Sequence, residues 1–209
     1  MGARPARGTP AETRARLVAA AAEVFNRDGY HGTDSNRIAR AAGYAPGTFY
    51  KHFADKRAIL LAAYEEWVTA EWREVEDEVR AGGGAAALAA RLVELVLANH
   101  RRWAGLRSSV LALVRADPEV RRFYLAQRRR QLRMLRGLRA VLHGPRRSAA
   151  EDTILLFTLE RTCDGIANGE LRDLGVALEP AIAALREVVR RHIDPSPGRA
   201  RSGNRRARG

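Results

Sequence analysis

The sequence predicts an all-α protein of about nine helices, and three observations support this fold class. Apolar residues recur at spacings of three and four, for example at Leu17, Val18, Ala21 and Phe25, which is typical of one buried helix face. No stretch alternates apolar and polar residues as a half-buried strand does. Hydroxyl or acidic residues that favour the N-cap precede most apolar segments, and several are followed by proline. The predicted architecture is a three-helix N-terminal head on a C-terminal body of about six helices.

Glycine, proline and composition divide the chain into four predicted parts. The head is expected to span residues 11–55 and the helical body residues 56–194, with residues 56–80 forming a long linking helix. Residues 1–10 and 195–209 are rich in arginine, glycine and proline and have no apolar periodicity. Such segments cannot bury a core, so both are predicted to be disordered basic arms.

Capping residues set the expected helix boundaries in the head. Thr9 or Thr13 can cap the first helix, and Gly29 is expected to end it in a left-handed conformation. Thr33 is the predicted N-cap of the second helix, with Asp34 favourable in its first turn.

A glycine turn separates the second helix from a third one. Gly43 ends the second helix, and Pro46 is expected to start the third at the position where a missing N–H is harmless. Phe49 and Phe53 are four residues apart, so they share one face and are assigned to the core. The residues expected to face outward are Thr48, Tyr50, Lys51 and His52.

Three N-caps are predicted in the body. Asp55 caps the linking helix, and Asp117 followed by Pro118 starts a long basic helix. Ser148 and Glu151 form the spacing of a capping box. The last helix is defined by the apolar residues Leu178, Ile182, Leu185, Val189 and Ile193.

The charge balance points to a polyanionic partner. The chain has 37 basic and 24 acidic residues and a formal net charge of +13. Nucleic acid is the first candidate partner and an anionic membrane surface the second, while a merely soluble basic surface is the alternative. No apolar run is long enough for a membrane span, and a membrane-bound role is not favoured.

The sequence does not favour an enzyme or a metalloprotein. The five histidines have no metal-ligand spacing, and neither a glycine-rich phosphate loop nor a serine nucleophile elbow is present. A single cysteine, Cys163, excludes an internal disulfide and a cysteine zinc cage. The expected location is the cytoplasm, with no cofactor and no metal.

The head resembles the TetR family of bacterial transcriptional regulators. The resemblance covers roughly residues 13–61 and rests on the order and spacing of one set of residues. These are Gly29-Tyr30, Thr33, Ile38-Ala39, Ala42-Gly43, Gly47-Thr48-Phe49-Tyr50, His52-Phe53 and Lys56. The body resembles such regulators only in the number and length of its helices.

The resemblance implies a homodimer that binds a double-stranded DNA operator. It implies an N-terminal helix-turn-helix, a ligand pocket in the body for an unknown small-molecule effector, and dimerisation through the last two long helices. One residue departs from the pattern, since Ala45 stands where the family commonly has serine. The loss of that N-cap costs about 1 kcal/mol in typical proteins, and Pro46 partly compensates for it by presetting the helical φ.

The expected DNA contacts divide into positioning and reading. Lys56, at a helix N-terminus, is predicted to meet a phosphate, as are Ser35 and Arg37. Thr33 is chiefly a cap, and Tyr50 and His52 match family positions that contact DNA. The remaining groove-facing edge is Tyr44, Ala45, Pro46, Gly47, Thr48 and Lys51, of which Lys51 can reach guanine.

The predicted pocket walls are mostly aromatic, since ligand sites combine apolar walls with a few polar anchors. They are Tyr64, Trp67, Trp103, Phe123, Tyr124, Phe157 and Cys163, each with plain core packing as the alternative. Glu160 and Asp164, four residues apart, favour a cationic ligand if they face inward and are otherwise a solvated pair. The run Arg128-Arg129-Arg130 is expected to be an exposed face.

These observations predict a dimeric repressor of near-palindromic operators that a small molecule releases. The alternative is an architectural DNA-binding protein that responds to no ligand, which the net charge and the two basic arms also favour. The operator, the ligand and the choice between repression and activation are not encoded in any recognisable pattern.

Overall fold

The computed structural model describes residues 8–194, which form ten helices and contain no strand. Residues 1–7 and 195–209 of the predicted basic arms lie outside these residues, whereas Thr9 is the N-cap and Pro10 the first residue of α1. No helix within residues 8–194 combines the length and apolarity that crossing a membrane requires. In order, the helices are α1 Pro10–Asp28, α2 Ser35–Ala41, α3 Pro46–Phe49, α4 Lys56–Ala81, α5 Ala85–Arg102, α6 Ala104–Val114, α7 Pro118–Val141, α8 Ala149–Ala167, α9 Glu170–Asp173 and α10 Leu178–Ile193.

Most predicted helix starts are confirmed by their capping contacts. Thr9 caps α1 in a capping box with Glu12, and Ser148 does the same for α8 with Glu151. The carboxylate of Asp117 accepts hydrogen bonds from the first turn of α7. The prediction for Thr33 was wrong, because the N-cap of α2 is Asp34, whose side chain accepts from the Arg37 N–H at 2.8 Å.

A single core joins the head to the nearer half of the body. The head contributes fully buried Leu17, Phe25, Ile38 and Phe49, and these belong to the same cluster as Ile59 of α4. A second cluster fills the distant half of the body between α5, α8 and α10. The head therefore packs on the body as one unit with α4, and movement of α4 involves the head directly.

Asn26 provides a polar link between the head and the body. Its side-chain carbonyl accepts hydrogen bonds from the backbone N–H groups of Gly105 and Leu106, at 3.0 and 3.2 Å. Its side-chain amide donates to the carbonyl of Arg102 at 2.8 Å. Gly105 lies so close to α1 that a Cβ at this position would be 1.9 Å from the backbone carbonyl oxygen of Asn26. Glycine is thus required at this crossing of α1 and α6.

Candidate functional site: the helix-turn-helix surface and the body cavity

The turn between α2 and α3 is built as the sequence predicts. Gly43 has φ of +81°, a conformation that favours glycine. Phe49 and Phe53 are buried with their ring centroids 5.8 Å apart. This packing fixes one side of α3 on the core and leaves the opposite side of the helix accessible to solvent.

The outward face of α3 carries most of the predicted DNA-reading edge. Tyr50 is 58% exposed, Ala45, Gly47 and Lys51 are exposed, and Pro46, Thr48 and His52 are half-buried. A Cβ at Gly47 would meet no atom within 4 Å, so no neighbouring group covers the surface at this glycine. The predicted DNA contacts of these residues stay predictions, but the side chains are available for them.

Ala45 is the N-cap of α3 and makes no side-chain capping bond. Pro46 occupies the first helical position, and the helix has four residues. The predicted loss of a side-chain cap at Ala45 is therefore confirmed in the local structure. The start of α3 depends on proline and on the packing of Phe49 instead of on a cap.

Three residues with predicted DNA contacts are less accessible than the rest. Tyr44 is half-buried and packs against the core, and its hydroxyl oxygen is buried without a hydrogen-bond partner. Ser35 is 9% exposed and Thr33 is 7% exposed. Their contacts with DNA stay predictions.

Lys56 has a structural partner set that the sequence did not reveal. Its ammonium donates to the carbonyl of Tyr30 at 2.7 Å and to that of Thr33 at 2.8 Å. It also lies 4.1 Å from the centre of the Tyr30 ring. The first residue of α4 thereby holds the segment that enters α2. Its predicted phosphate contact is untested.

Arg37 is likewise held by the head itself. Its guanidinium lies 3.0 Å from the carboxylate of Asp28 and donates to the carbonyl of Gly32 at 3.0 Å. The side chain is 47% exposed, so one edge of the guanidinium faces solvent. Contact with a phosphate stays a prediction for this residue.

The body contains a cavity of about 80 Å³ with an apolar wall. It is enclosed by α4, α5, α7, α8 and α10. Its polar lining residues are Glu71, Gln131, Arg139 and Glu160. The apolar lining is Trp72, Val75, Val79, Leu92, Val96, Leu135, Leu138, Leu142, Leu155, Leu156, Leu159, Val189 and Ile193.

Only Glu160 of the nine predicted pocket residues lines this cavity. Tyr64 and Trp67 are buried in the core instead, with their rings 5.2 Å apart. Phe123 packs edge-on against Tyr64 at 6.2 Å. An aromatic stripe at helical spacing does not distinguish a core from a cavity wall, and ligand contact by these residues stays a prediction.

Four of the predicted pocket residues lie together at a second, more open site. Phe157 is 52% exposed on α8, and it lines an open cleft of about 410 Å³ with Tyr124, Glu160 and Asp164. Trp103 lies at a groove between α1 and α4. Cys163 is fully buried, and burial raises the pKa of its thiol to about 12, which keeps it unreactive.

Glu160 and Asp164 face inward, but arginines neutralise both. Arg107 lies 3.1 Å from the Glu160 carboxylate and 2.7 Å from that of Asp164. Arg128 pairs with Glu160 and is buried, so the prediction of an exposed run of three arginines was wrong for this residue. His100 completes the network at 2.9 Å from Asp164. These two acids are therefore not a free site for a cation.

The charge state of Glu160 follows from this network. Burial by itself raises the pKa of Glu160, but Arg107 and Arg128 outweigh that effect and hold its pKa below the usual value. Gln131 bridges the same groups, since its amide carbonyl accepts from Arg128 at 3.1 Å. Glu160 is thus an ionised, fully compensated carboxylate at one end of the cavity.

Glu71 is the functional candidate that the sequence reading missed. It is 6% exposed, and its Oε1 atom is buried without a hydrogen-bond partner. Burial, reinforced by the charge of Glu160, raises its pKa to about 8. A signal existed, since Glu71 falls on the apolar stripe of α4 between Val68 and Val75.

The head matches a known family model. Residues 17–63 match the model of bacterial regulatory proteins, tetR family. The fatty acid metabolism regulator protein of Bacillus subtilis strain 168 is 30% identical over 130 residues, which is 62% of this chain and 63% of that protein. The chain thus matches less than two thirds of the length of this relative.

Two solved structures share the whole fold at low sequence identity. The fatty acid degradation regulator FadR from Bacillus halodurans superposes with a TM-score of 0.68 at 18% identity, over 89% of this chain and 97% of that one. FadR from Bacillus subtilis, solved in complex with stearoyl-CoA, gives a TM-score of 0.63 at 19% identity, over 84% and 96% of the two chains. Residues 17–63 thus match the tetR family of bacterial regulatory proteins, and the described helices share the fold of these two solved structures.

Proposed function

We propose that this chain is a homodimeric DNA-binding repressor that an elongated apolar small molecule releases from its operator. One observation carries the proposal, namely that α4 connects the two sites. Its first residue, Lys56, holds the Tyr30 and Thr33 carbonyls at the entrance to α2. Its residues Glu71 to Val79 line the cavity.

The DNA-facing half of the proposal is supported by the open side of α3. Lys51 and Tyr50 are exposed, and the nearby Gly47 has free space where a side chain would be. The chain also carries a net charge of +13. Such a surface suits a major groove flanked by phosphates. Two copies bound to a near-palindromic operator would place these helices about 34–36 Å apart.

The homodimer is supported by an apolar face on α8 and the segment that includes α10. Ile154 and Phe157 are exposed on one side of α8, at 65% and 52%. Val188 of α10 and Leu178 at its start are also more than a third exposed. Exposed apolar side chains mark an interaction surface where they form one patch, and we propose that those of α8 and α10 do so. A second copy placed on this face would bury them in a bundle of four helices.

The ligand-responsive half is supported by the shape and size of the cavity. Along α4 it extends from Glu71 to Val79, which is about 12 Å at 1.5 Å per residue. Its volume of about 80 Å³ is below the roughly 300 Å³ of a typical ligand pocket. A ligand must therefore push the lining helices apart, α4 among them. The relative solved with stearoyl-CoA supports a chain-like ligand.

Release of DNA then needs only a modest coupling. A shift of α4 moves Lys56 and with it the start of α2, so that the two heads of a dimer lose their matched spacing. A coupling of about 1–3 kcal/mol, roughly 5- to 150-fold in affinity, is sufficient. The protein would act in the cytoplasm, on the nucleoid when bound.

Operator selection with the full chain tests the proposal. A few near-palindromic sites are expected, followed by their release by long-chain compounds in a fluorescence-anisotropy screen. Broad binding without sequence preference would instead establish the architectural alternative. Specific binding that no apolar compound weakens would refute the ligand-responsive half.

A further inference from the structure

The end of the cavity at Glu71 has an unusual polar composition. Of its 17 lining residues, the charged ones are Glu71, Glu160 and Arg139. Arg139 is eight residues beyond Gln131 on α7, about 12 Å along the helix axis, and pairs with the buried Asp152. The Glu71 end is therefore bordered by two carboxyl groups and one amide.

The hydrogen-bonding capacity at this end differs between the two carboxyl groups. Glu160 is satisfied by Arg107 and Arg128, and Gln131 is engaged with the same network. Glu71 Oε1 is buried and has no partner. A buried polar atom without a partner is costly and calls for an explanation. A donor carried by a ligand would satisfy it.

The charged groups around Glu71 determine which kind of donor fits. Glu160 of α8 and Glu74 of α4 oppose its ionisation, whereas Arg107 of α6 and Arg128 of α7 favour it. Cys163 of α8 is also within its electrostatic range. Both arginines are already committed to Glu160, so an anionic group would find no free cation at this end among residues 8–194. A cation would find an acid that lacks a partner.

We propose that Glu71 binds the ammonium group of a cationic amphiphile whose alkyl chain lies along the apolar wall toward Val79. The inference rests on the proposed ligand-responsive function, because it names the chemistry of the ligand for the same cavity. An ammonium group offers three N–H donors to the unpartnered carboxyl. Its alkyl chain would contact Trp72, Val75 and Leu138, which line the cavity.

The binding equilibrium includes a proton. Glu71 has a pKa of about 8 and holds its proton at pH 7, so the acid must ionise when the ammonium binds. The proton goes to solvent, and an ion pair forms in its place. The apparent affinity for the ammonium compound should therefore rise with pH between about 6 and 8.

Isothermal titration calorimetry of the full chain tests the inference with three ligands of one chain length. These are decylammonium, 1-decanol and decanoate, used below their micelle concentrations. Decylammonium is expected to bind at least about tenfold more tightly than either of the others, as for a buried charge pair. Titration in two buffers of different ionisation enthalpy should show release of close to one proton at pH 6.5.

Variants distinguish Glu71 from surface charge. Glu71→Gln should weaken decylammonium binding at least about tenfold and abolish proton release, while binding of 1-decanol changes little. Glu65→Gln removes an acid on the same helix whose side chain is 52% exposed, and it should bind decylammonium as the wild type does. Equal effects of the two variants, or a preference for 1-decanol or decanoate, would overturn the inference.

Operator release is measured separately in the same samples. Decylammonium that binds through Glu71 without releasing DNA would refute the proposed coupling and leave the assignment of Glu71 intact. Release by 1-decanol or decanoate but not by decylammonium would refute the assignment and leave the repressor mechanism intact.

Discussion

The side chain of Asn26 in α1 accepts a hydrogen bond from the backbone N–H of Gly105 in α6 at 3.0 Å. The same side chain also binds Leu106 and Arg102, so one residue of the head satisfies three backbone groups at the junction of α5 and α6. Through this polar contact and the shared core, the head and the body pack together as one unit.

Asn26→Ala should weaken the junction between head and body. It leaves the N–H groups of Gly105 and Leu106 without their acceptor, and a lost partner for a buried donor costs about 1–3 kcal/mol. The free energy of unfolding, measured by urea denaturation, should fall by about that amount. Asn36→Ala, at an exposed position of α2, is the control and should change it by less than about 0.5 kcal/mol. Equal stability of both variants would contradict the junction.

Lys56→Ala should destabilise the head as well as weaken operator binding. The ammonium makes two charge-assisted hydrogen bonds to carbonyls, so its loss should lower the free energy of unfolding by about 2 kcal/mol. Operator affinity should fall on every sequence, since the start of α2 loses its support.

Lys51→Ala is the matched control for Lys56. Lys51 is exposed, and its removal should leave stability within about 0.5 kcal/mol of the wild type. Unchanged stability of the Lys56 variant, with a salt slope lowered by roughly one, would show that Lys56 serves DNA and not the fold.

Ala45→Ser should stabilise α3. Ala45 has extended backbone angles at the N-cap and no capping side chain, and a serine hydroxyl there can accept from the N–H groups of the first turn. The expected gain in free energy of unfolding is about 1 kcal/mol, with an altered operator preference in a selection experiment. Ala54→Ser, an exposed position just before a cap, controls for the added hydroxyl. A gain of the same size at both positions would argue against capping.

The local features of the fold could be predicted because they depend on neighbouring residues. Thr9, Asp117 and Ser148 cap their helices as expected, and Gly43 makes the turn. The error at Thr33 is a shift of one residue, since Thr33 and Asp34 are both good caps. The cap itself is decided by the backbone angles of Asp34, which the sequence does not contain.

The cavity could not be predicted, because it depends on how distant helices meet. Leu92 of α5, Leu138 of α7 and Leu155 of α8 line it, and each is an ordinary leucine in the sequence. The partners of Lys56 and of Arg128 are equally non-local. Glu71 was the one available signal, as an acid on an apolar stripe, but the choice of aromatic residues as pocket walls passed over it.

Glu71→Gln should remove part of the pH dependence of stability. The pKa of Glu71 in the folded protein, about 8, lies above the ordinary glutamate value of 4.5. The stabilising effect of the bound proton is therefore fully present below about pH 4.5 and is lost as pH rises through 8. Between pH 4.5 and 8, the free energy of unfolding of the wild type should fall relative to that of the variant by at most about 1.4 kcal/mol per pH unit. The total loss is a few kcal/mol.

Urea denaturation of both proteins at pH 5, 6.5 and 8 measures this difference. The free energy of unfolding of Glu71→Gln should exceed that of the wild type by an amount that grows toward pH 8. Glu65→Gln, on the solvent side of α4, should follow the wild type at all three values. A constant difference across the series would show that Glu71 is already ionised in the folded protein.

Phe157→Glu should convert the proposed homodimer into a folded monomer. Phe157 is 52% exposed, so a charge there costs the isolated chain little, whereas at the centre of an apolar interface it leaves a buried ion without a partner. Sedimentation velocity is expected to show a dimer for the wild type and a monomer for the variant, with the same helical circular dichroism. Leu125→Glu introduces the same charge at an apolar residue of a different helix, α7, that is 41% exposed, and it should remain dimeric. Because the proposed operator binding uses two heads, the monomer should lose specific affinity but keep weak, salt-sensitive binding. If the wild type is a monomer and still selects a palindromic operator, then operator selection does not depend on a dimer formed through this face.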